Sequence, residues 1–372
     1  KIAWALPTTR VVPSEAFMLL CAVTLTGLAL ALRVFVAVPL VASLADYLGT
    51  AFAAIACGLA GWTWAKRFLN PAAALYAMMI FMGSSAAVVI GSFGRRGLVA
   101  VGAGLLWGMY YSRWRYSDPR RVIAQIAVAG AVPLLALALY TSARSSSEHD
   151  RNAIQHVQAM ITQGDLKTGF MLLLDGQGTA GVSMWLMEHC PTDFPYRWMH
   201  TPLYTVYFPI PRSIWAGKPD PLSGRIAEMA NRSGVNRKVL TIGPGIIGHA
   251  AAEGGWIALI VYAMLAGLCL RLYDEIVRKC PTSPFVVLPI GASLGQIVGL
   301  ARGETAAFAF TYAFASFGSY LSLLFVAKIV ERTGLAGAAD SGAIEEEHTA
   351  EWQEHEPHED PASDHDGHRR VG

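Results

Sequence analysis

The chain has 372 residues, of which 53% are hydrophobic and only 15% are charged. Soluble domains carry about 25% charged residues, so the composition indicates a membrane protein before any segment is inspected. The net charge of +2 excludes no class by itself, and the five cysteines form neither a CxxC pair nor a metal-ligand spacing. An odd number of cysteines also argues against a complete disulfide framework.

Eight hydrophobic segments are candidates for membrane-spanning helices, since a helix that crosses the hydrocarbon needs about 20 mostly apolar residues. Nothing in the sequence indicates a sheet, so it predicts an all-α polytopic membrane protein. The fourth segment is short, and only Arg95 and Arg96 separate it from the third. The segments are roughly 16–37, 44–65, 71–93, 97–112, 122–141, 246–270, 284–301 and 304–328.

These segments divide the chain into N-terminal helices (1–141), a large loop (142–245), C-terminal helices (246–330) and a tail (331–372). The loop has about 100 residues, which is too long for a structureless connection, so we expect short helices within it. The tail is acidic, rich in histidine and almost without hydrophobic residues, so we expect it to be disordered. Because the chain begins at Lys1 rather than Met, we expect further sequence upstream.

Basic residues near the helix ends predict the orientation, because short cytoplasmic loops of membrane proteins carry an excess of Lys and Arg. If the first helix starts in the cytoplasm, four basic clusters fall on that side and the large loop falls outside. Both ends of the chain are then cytoplasmic. The clusters are Lys66/Arg67, Arg113/Arg115/Arg120/Arg121, Arg271/Arg278/Lys279 and Lys328/Arg332.

Four further arginines do not follow this bias, because the same topology places them on the outer face. Arginine at the edge of the hydrocarbon is energetically costly and usually has a partner or a function. One alternative is that Arg33 extends toward the interface and that the others bind lipid headgroups. Their position on one face, beside a basic loop, favours a shared anion site. The four are Arg33, Arg95, Arg96 and Arg302.

The large loop contains two cations six residues apart, Arg212 and Lys218, in the stretch FPIPRSIWAGKPD. Arginine suits diphosphate because its planar guanidinium makes paired hydrogen bonds to phosphate oxygens, and lysine adds a point charge. Pro211 and Pro219 each stand beside one of these cations and restrict the backbone. The segment is therefore expected to hold both cations in a defined arrangement.

Aromatic residues are dense in the same loop, and Tyr204 and Trp215 are candidates to contact a glycan. Aromatic side chains interleaved with arginine suit either a sugar-stacking surface or the belt of residues at a membrane interface. The alternative for Trp215 is a packing anchor.

Other chemistries are not supported by the sequence. The glycine-rich GPGIIG (Gly243–Gly248) has no following Lys-Ser/Thr and no preceding strand, so it is not a nucleotide phosphate loop. The motif HExxH is absent. The basic groups lie in a membrane setting, so we do not expect nucleic acid as a partner.

The segment IPRSIWAGKP, preceded by Tyr204 and followed by TIGPGIIGHAAAEGGWIALI, resembles the oligosaccharide repeat-unit polymerases, the O-antigen polymerases of the Wzy type. That family shows an iPR-x-(l/i)-W-x-x-K-P segment in its large extracytoplasmic loop and then a Gly-rich segment that enters the next helix. GSFGRRG (Gly91–Gly97) and LARGE (Leu300–Glu304) are similar to its Ser/Gly-Arg-Gly and Arg-Gly-acid elements. The resemblance covers roughly residues 70–330.

The resemblance implies a membrane glycosyltransferase with the helical GT-C-like architecture. Such an enzyme joins polyprenyl-diphosphate-linked oligosaccharide repeats on the outer side of the bacterial cytoplasmic membrane, without a nucleotide-sugar donor. It also implies the lipid bilayer, chain-length regulators and flippases as partners. Transfer is expected to need no metal or other cofactor, so cationic side chains must stabilise the diphosphate leaving group. Arg212 and Lys218 are the expected diphosphate contacts, and Arg95, Arg96, Arg302 and Arg33 are the expected further clamps.

Three residues are candidates for the base that takes the proton from the attacking sugar hydroxyl, namely His249, Glu253 and Glu304. His249 and Glu253 are four residues apart, so a helix would place both on one face. The family pattern iGEaYlNFG is here IGHAAAEGG, with His249 at the Glu and Glu253 at the Asn. As alternatives, His249 caps or packs at a helix start, and Glu304 pairs with Arg302.

Two other classes stay open at this point. An O-antigen ligase is a related membrane glycosyltransferase that delivers a finished polymer, but the PRxxWxxKP segment favours a polymerase. A transporter often shows internal repeats with paired broken helices, and no convincing repeat is present.

The predicted orientation can be tested with reporter fusions. Reporters placed at residues 150 and 340 should report opposite sides of the membrane, because the loop is outside and the tail is cytoplasmic. If both reporters indicate the cytoplasm, the anion site cannot lie on the outer face.

Overall fold

The computed structural model describes residues 13–35, 42–91, 95–145, 164–174, 179–229, 243–295 and 297–333, together with positions 158 and 162. Within these ranges the regular structure is helical and contains no strand, which confirms the predicted all-α class. The predicted disorder of the tail concerns residues 334–372, which lie outside the described ranges.

The helices follow one another with short connections. They are α1 (Glu15–Phe35), α2 (Ala42–Lys66), α3 (Pro71–Gly91), α4 (Arg95–Ser112), α5 (Pro119–Ser145), α6 (Leu166–Leu174), α7 (Thr179–His189), α8 (His200–Tyr207), α9 (Leu222–Met229), α10 (Gly245–Lys279), α11 (Pro284–Leu294), α12 (Ile297–Arg302) and α13 (Thr305–Thr333), with a 3-10 turn at Trp114–Tyr116.

Seven stretches of the described residues are long and apolar enough to cross a membrane, which supports a polytopic membrane protein. They are α1, α2, α3, α5, α10, the α11–α12 pair and α13. The fourth predicted span, 97–112, does form a helix, α4, but α4 is not among the seven.

The composition of α4 follows from its position inside the bundle. Nine of its 18 residues are buried, and it packs against α2 with backbone touching backbone. A Cβ atom at Gly104 would lie 2.3 Å from the carbonyl oxygen of Ala54, and one at Gly108 would lie 2.0 Å from that of Gly58. Small residues four apart let membrane helices approach this closely. Because protein covers α4, it does not need the uniformly apolar surface of a lipid-facing helix.

The N-terminal ends of α2, α4, α10 and α13 lie together, and we call this end of the bundle the site end. Arg96 of α4 lies 4.0 Å from the ring centroid of Phe308 in α13. Tyr47 of α2 packs against Phe310 of α13, with ring centroids 6.1 Å apart. His249 of α10 accepts a hydrogen bond from the first residue of α13.

Basic side chains predicted to be cytoplasmic occupy the opposite end. Lys66 and Arg67 approach Glu15 with N–O distances of 3.9 and 2.9 Å, and Arg113 donates to the carbonyl oxygen of Lys66 at 3.3 Å. The basic residues predicted to be cytoplasmic and those predicted to lie outside are therefore at opposite ends of the bundle, as the predicted alternation of helix directions requires. Which end faces the cytoplasm stays a prediction.

Arg33, at the C-terminal end of α1, lies in a buried ion pair. Its guanidinium donates to the carboxylate of Asp46 and, at 3.2 Å, to the hydroxyl of Thr50. The side chain of Arg33 is only 4% exposed, and that of Asp46 is 21% exposed. The structure thus supplies a protein partner for the arginine, and the predicted clamp role would require this pair to open.

This ion pair makes a prediction about stability. Arg33→Met should leave the Asp46 carboxylate without its cation and destabilise the protein by about 3 kcal/mol, the lower end for breaking a buried pair because Asp46 is partly exposed. The melting temperature in detergent should fall accordingly. The double variant Arg33→Met/Asp46→Leu should melt above the single variant. Unchanged melting of Arg33→Met would show that the pair contributes nothing to stability.

Candidate functional site

The three residues predicted as proton acceptors meet at the site end. His249 Nδ1 lies 3.7 Å from Glu253 Oε1, and His249 Nε2 lies 3.5 Å from Glu304 Oε1. His249 and Glu253 share one face of α10, as their spacing predicts, and Glu304 immediately precedes α13. The side chains of His249 and Glu253 are 0% and 1% exposed, whereas that of Glu304 retains 13%.

Thr201, near the start of α8, connects His249 to Glu253. Its hydroxyl oxygen lies 2.5 Å from His249 Nδ1, and the same hydroxyl donates to Glu253 Oε1. Its backbone N–H donates to that same carboxylate oxygen at 3.0 Å. A hydroxyl has only one proton to donate, so His249 Nδ1 must carry the proton of the Nδ1–Oγ1 hydrogen bond.

The other nitrogen of His249 is an acceptor. Its Nε2 receives the backbone N–H of Thr305 at 3.2 Å. An imidazole that donates from Nδ1 and accepts at Nε2 is neutral and held in one tautomer. The structure therefore favours a hydrogen-bonding role for His249 over the alternative of a simple helix cap.

Tyr262 completes the surroundings of Glu253. Its hydroxyl donates to Glu253 Oε2 at 2.5 Å, so both carboxylate oxygens accept hydrogen bonds. A buried carboxylate is tolerable only when hydrogen bonds replace its lost hydration. We call Thr201, His249, Glu253 and Tyr262 the buried cluster.

A bend in α10 brings Tyr262 to Glu253. Gly255 has φ +56°, a left-handed conformation that favours glycine, and a Cβ atom at Gly254 would lie 2.5 Å from the ring of Trp198. The loop before α8 packs on this bend, where Arg197 N–H donates to the carbonyl oxygen of Ala252 at 3.2 Å. Tyr262 is nine residues after Glu253, so helical spacing could not have identified it.

His200 is a second histidine beside the cluster that the sequence did not single out. Its ring stacks on that of Tyr204 with centroids 5.9 Å apart. Burial lowers the pKa of His200, and the carboxylates of Glu253 and Glu304 oppose this shift. With its pKa below the usual 6.5, the ring is neutral at pH 7. Its Nε2 is buried without a hydrogen-bond partner in the described part of the chain.

Lys218 fastens the proline-rich loop from inside. Lys218 as a whole is 8% exposed, and its Nζ donates hydrogen bonds to the carbonyl oxygens of Phe208 at 2.9 Å and Ile210 at 3.0 Å. The ammonium also lies 5.2 Å from the centroid of the Tyr204 ring. Burial lowers the pKa of Lys218, and the nearby Arg212 charge lowers it further. The predicted stiffness therefore arises from hydrogen bonds as well as from proline.

Arg212 fastens the same loop from its surface. Its guanidinium donates to the carbonyl oxygens of Lys218 at 3.0 Å and Pro219 at 3.3 Å, and to the carboxylate of Asp220 at 2.5 Å. The side chain is 50% exposed, so it remains accessible to a ligand in solution or at the membrane surface.

The remaining predicted cations also lie at the site end. Arg95 and Arg96 begin α4, and Arg302 ends α12 next to Gly303, whose carbonyl oxygen accepts the Gly245 N–H at 3.0 Å. Glu304 accepts the backbone N–H of Ser223 at 2.9 Å. Among the described residues, no ion pair joins Glu304 to Arg302, so the predicted alternative of that pair is not what the structure contains.

The two candidate glycan contacts differ in accessibility. Tyr204 is only 6% exposed and packs against Phe208, with centroids 6.2 Å apart. Trp215 is 37% exposed and packs edge-on against Tyr207 at 5.2 Å. Of the two, Trp215 is therefore the one that a glycan can reach without rearrangement.

These features define a polytopic helical membrane protein that gathers a buried Thr–His–Glu–Tyr cluster and several basic residues at one end. No family model matches the chain, and no curated protein or solved structure is significantly similar to it. The resemblance to repeat-unit polymerases therefore stays a prediction from sequence motifs.

The two hydrogen bonds of Lys218 make a prediction about the loop. Lys218→Met should leave the carbonyl oxygens of Phe208 and Ile210 without their donor and lower stability by about 1–3 kcal/mol, even without substrate. Protease cleavage within 208–220 and the melting temperature in detergent would measure this. Lys66→Met at the opposite end, where the side chain is 38% exposed, should change neither. Equal behaviour of the two variants would show that Lys218 does not hold the loop.

Proposed function

We propose that the protein is a polymerase that joins polyprenyl-diphosphate-linked oligosaccharide repeat units into a surface polysaccharide. The reaction takes place on the outer face of the bacterial cytoplasmic membrane. The growing chain leaves its lipid diphosphate and is transferred to the non-reducing end of the next lipid-linked unit. The polymer is an O-antigen, a capsule or an exopolysaccharide.

One observation carries this proposal, namely that α8 connects the two sets of candidate residues. Thr201 on α8 contacts His249 and Glu253, and Tyr204, three residues later, lies under the ammonium of Lys218. Candidates for proton removal and for diphosphate binding come from distant parts of the sequence. They lie side by side at the site end, as a group-transfer reaction requires.

The chemistry depends on charge that develops on the leaving group. When the bond between the anomeric carbon and the diphosphate breaks, negative charge builds on the bridging oxygen. Cations held in place before the reaction stabilise that charge more strongly in the transition state than in the ground state. Arg212, Lys218, Arg95, Arg96 and Arg302 are the proposed groups, and the positive ends of four helices add to the same potential.

Arg212 is the proposed principal diphosphate ligand because its guanidinium is exposed and already binds an anionic group. Asp220 occupies it in the structure, and an incoming diphosphate would take the place of that carboxylate. Lys218 is buried beneath it and supplies positive potential without leaving the loop.

The function can be tested by the products that accumulate. A strain that lacks the gene should make lipid-linked single repeats and no polymer, and the purified protein in proteoliposomes should convert those repeats to polymer. Accumulation of long lipid-linked polymer would instead indicate a ligase. Unchanged glycan with lost uptake of a small solute would indicate a transporter.

Arg212→Lys should reduce the rate of polymerisation at least about tenfold, because a point charge cannot reproduce the paired, charge-assisted hydrogen bonds of a guanidinium. The assay is polymer formation from lipid-linked repeats in proteoliposomes. Asp220→Asn is the matched control, since it weakens the loop contact and retains the guanidinium. Normal polymer length in Arg212→Lys, or an equal loss in both variants, would contradict the role of Arg212 at the diphosphate.

A further inference from the structure

We propose that Glu304 is the base that takes the proton from the attacking sugar hydroxyl, and that the buried cluster positions it by holding the unprotonated Nε2 of His249 beside it. This inference rests on the proposed function and assigns separate roles within the same site. It adds Thr201 and Tyr262, which the sequence did not indicate, as positioning residues.

The hydrogen bonds of His249 and Glu253 leave neither of them available to a substrate. Both nitrogens of His249 are occupied, by Thr201 and by the Thr305 N–H, and the side chain is 0% exposed. Both oxygens of Glu253 accept hydrogen bonds, and its side chain is 1% exposed. A base must come within hydrogen-bond reach of the proton that it removes.

Glu304 differs in its hydrogen bonding. One oxygen, Oε2, accepts the Ser223 N–H at 2.9 Å, whereas Oε1 is buried and has no hydrogen-bond partner among the described residues. The side chain as a whole is 13% exposed, against 0% for His249 and 1% for Glu253. Of the three candidates, Glu304 is therefore the one with an oxygen that can still accept a hydrogen bond from a substrate hydroxyl.

Glu304 Oε1 and His249 Nε2 are both acceptors in this structure. They lie 3.5 Å apart, and the lone pair of Nε2 already accepts the Thr305 N–H at 3.2 Å. Oε1 therefore gains no hydrogen bond from His249 and keeps an unfilled acceptor position. A proton taken up at Oε1 would replace this contact between two acceptors with one between a donor and an acceptor.

The buried cluster holds His249 in the tautomer that this step requires. Glu253 accepts the Thr201 hydroxyl, which obliges that hydroxyl to accept from Nδ1–H and leaves Nε2 free of a proton. Tyr262 and the Thr201 N–H hold the carboxylate in place. If this chain of hydrogen bonds is broken, the tautomer is no longer imposed from the Nδ1 side.

In the proposed step, the O–H bond of the acceptor hydroxyl breaks and its proton passes to Glu304. The oxygen lone pair forms the new bond to the anomeric carbon. The bond from that carbon to the lipid diphosphate breaks, and its electron pair stays on the diphosphate oxygen. Glu304 afterwards releases the proton to water.

The first test uses the purified full chain in proteoliposomes with lipid-linked repeats as substrate. Glu304→Gln should lower kcat about 10²–10⁴-fold, the usual contribution of a general base, with little change in KM. Glu304→Ala should regain part of its rate when formate is added, because formate can act in place of the missing carboxylate. Glu275→Gln, which removes a carboxylate paired with Arg271 at the opposite end of α10, should retain the wild-type rate.

The second test concerns positioning and uses conservative pairs on α8. Thr201→Val should lower kcat about tenfold with KM unchanged, and Thr201→Ser, which retains the hydroxyl, should stay close to wild type. Thr205→Val is the matched control, because among the described residues the Thr205 hydroxyl donates to the carbonyl oxygen of Thr201 at 2.8 Å and contacts neither His249 nor Glu253. Melting temperatures in detergent would show that each variant is folded.

The outcomes separate this inference from the proposed function. If the wild-type protein forms no polymer, the function is wrong whatever the variants do. If it is active and folded Glu304→Gln retains its rate, the base is another residue. If Glu304→Gln does not fold, formate rescue of Glu304→Ala supports the assignment, and its absence overturns it. Equal activity of Thr201→Val and Thr201→Ser would refute the positioning role.

Discussion

The carboxylate of Glu253 is the group on which the architecture of the site end depends. It is 1% exposed in an otherwise largely apolar helix, where an unsatisfied charge would be very costly. Its donors come from two places, the start of α8 and the segment of α10 beyond the bend. Satisfying this one carboxylate therefore fixes where α8 lies, requires the bend at Gly254 and Gly255, and sets the proton on His249.

The same requirement links the loop to the membrane-spanning helices. Because α8 starts at the buried cluster and ends at Tyr207, its position determines where the proline-rich segment begins. The next residue, Phe208, packs against Tyr47 of α2 at 6.1 Å and Phe310 of α13 at 5.7 Å, and Lys218 binds the carbonyl oxygen of Phe208. The loop is consequently anchored to the bundle through Thr201 and through Phe208, and Lys218 ties its far part back to Phe208. Such anchoring holds the cations in place before a ligand arrives, which lowers the ordering cost of binding.

Sequence reasoning identified what depends on local pattern. Apolar length predicted the spanning segments, and the four-residue spacing placed His249 and Glu253 on one face. The predicted span at 97–112 is a helix, α4, that runs from Arg96 at the site end to the opposite end, where Arg113 contacts Lys66, but it is not among the seven helices apolar enough to cross a membrane. The structure shows its inner position through the contacts of Gly104 and Gly108 with the backbone of α2.

Residues that act through long-range contacts could not be found in this way. Thr201 is 52 residues from Glu253, and Tyr262 lies beyond a bend that breaks the helical period. Asp46 was likewise not recognised as the partner of Arg33, since a partner 13 residues away on another helix has no signature in the local sequence. Of the arginines that break the positive-inside pattern, Arg33 thus has a carboxylate partner and Arg96 contacts the ring of Phe308.

The two halves of the site differ in how they are built, and the difference matches the demands of the proposed group transfer. A proton acceptor needs a fixed tautomer and a defined direction, and the buried cluster supplies both through hydrogen bonds shielded from water. A leaving group that arrives on a lipid needs cations that it can reach, and Arg212 is half-exposed in a loop braced from within by Lys218. Because Thr201 of α8 contacts the buried cluster and Tyr204 of the same helix lies against Lys218, a shift of α8 would disturb both halves of the site.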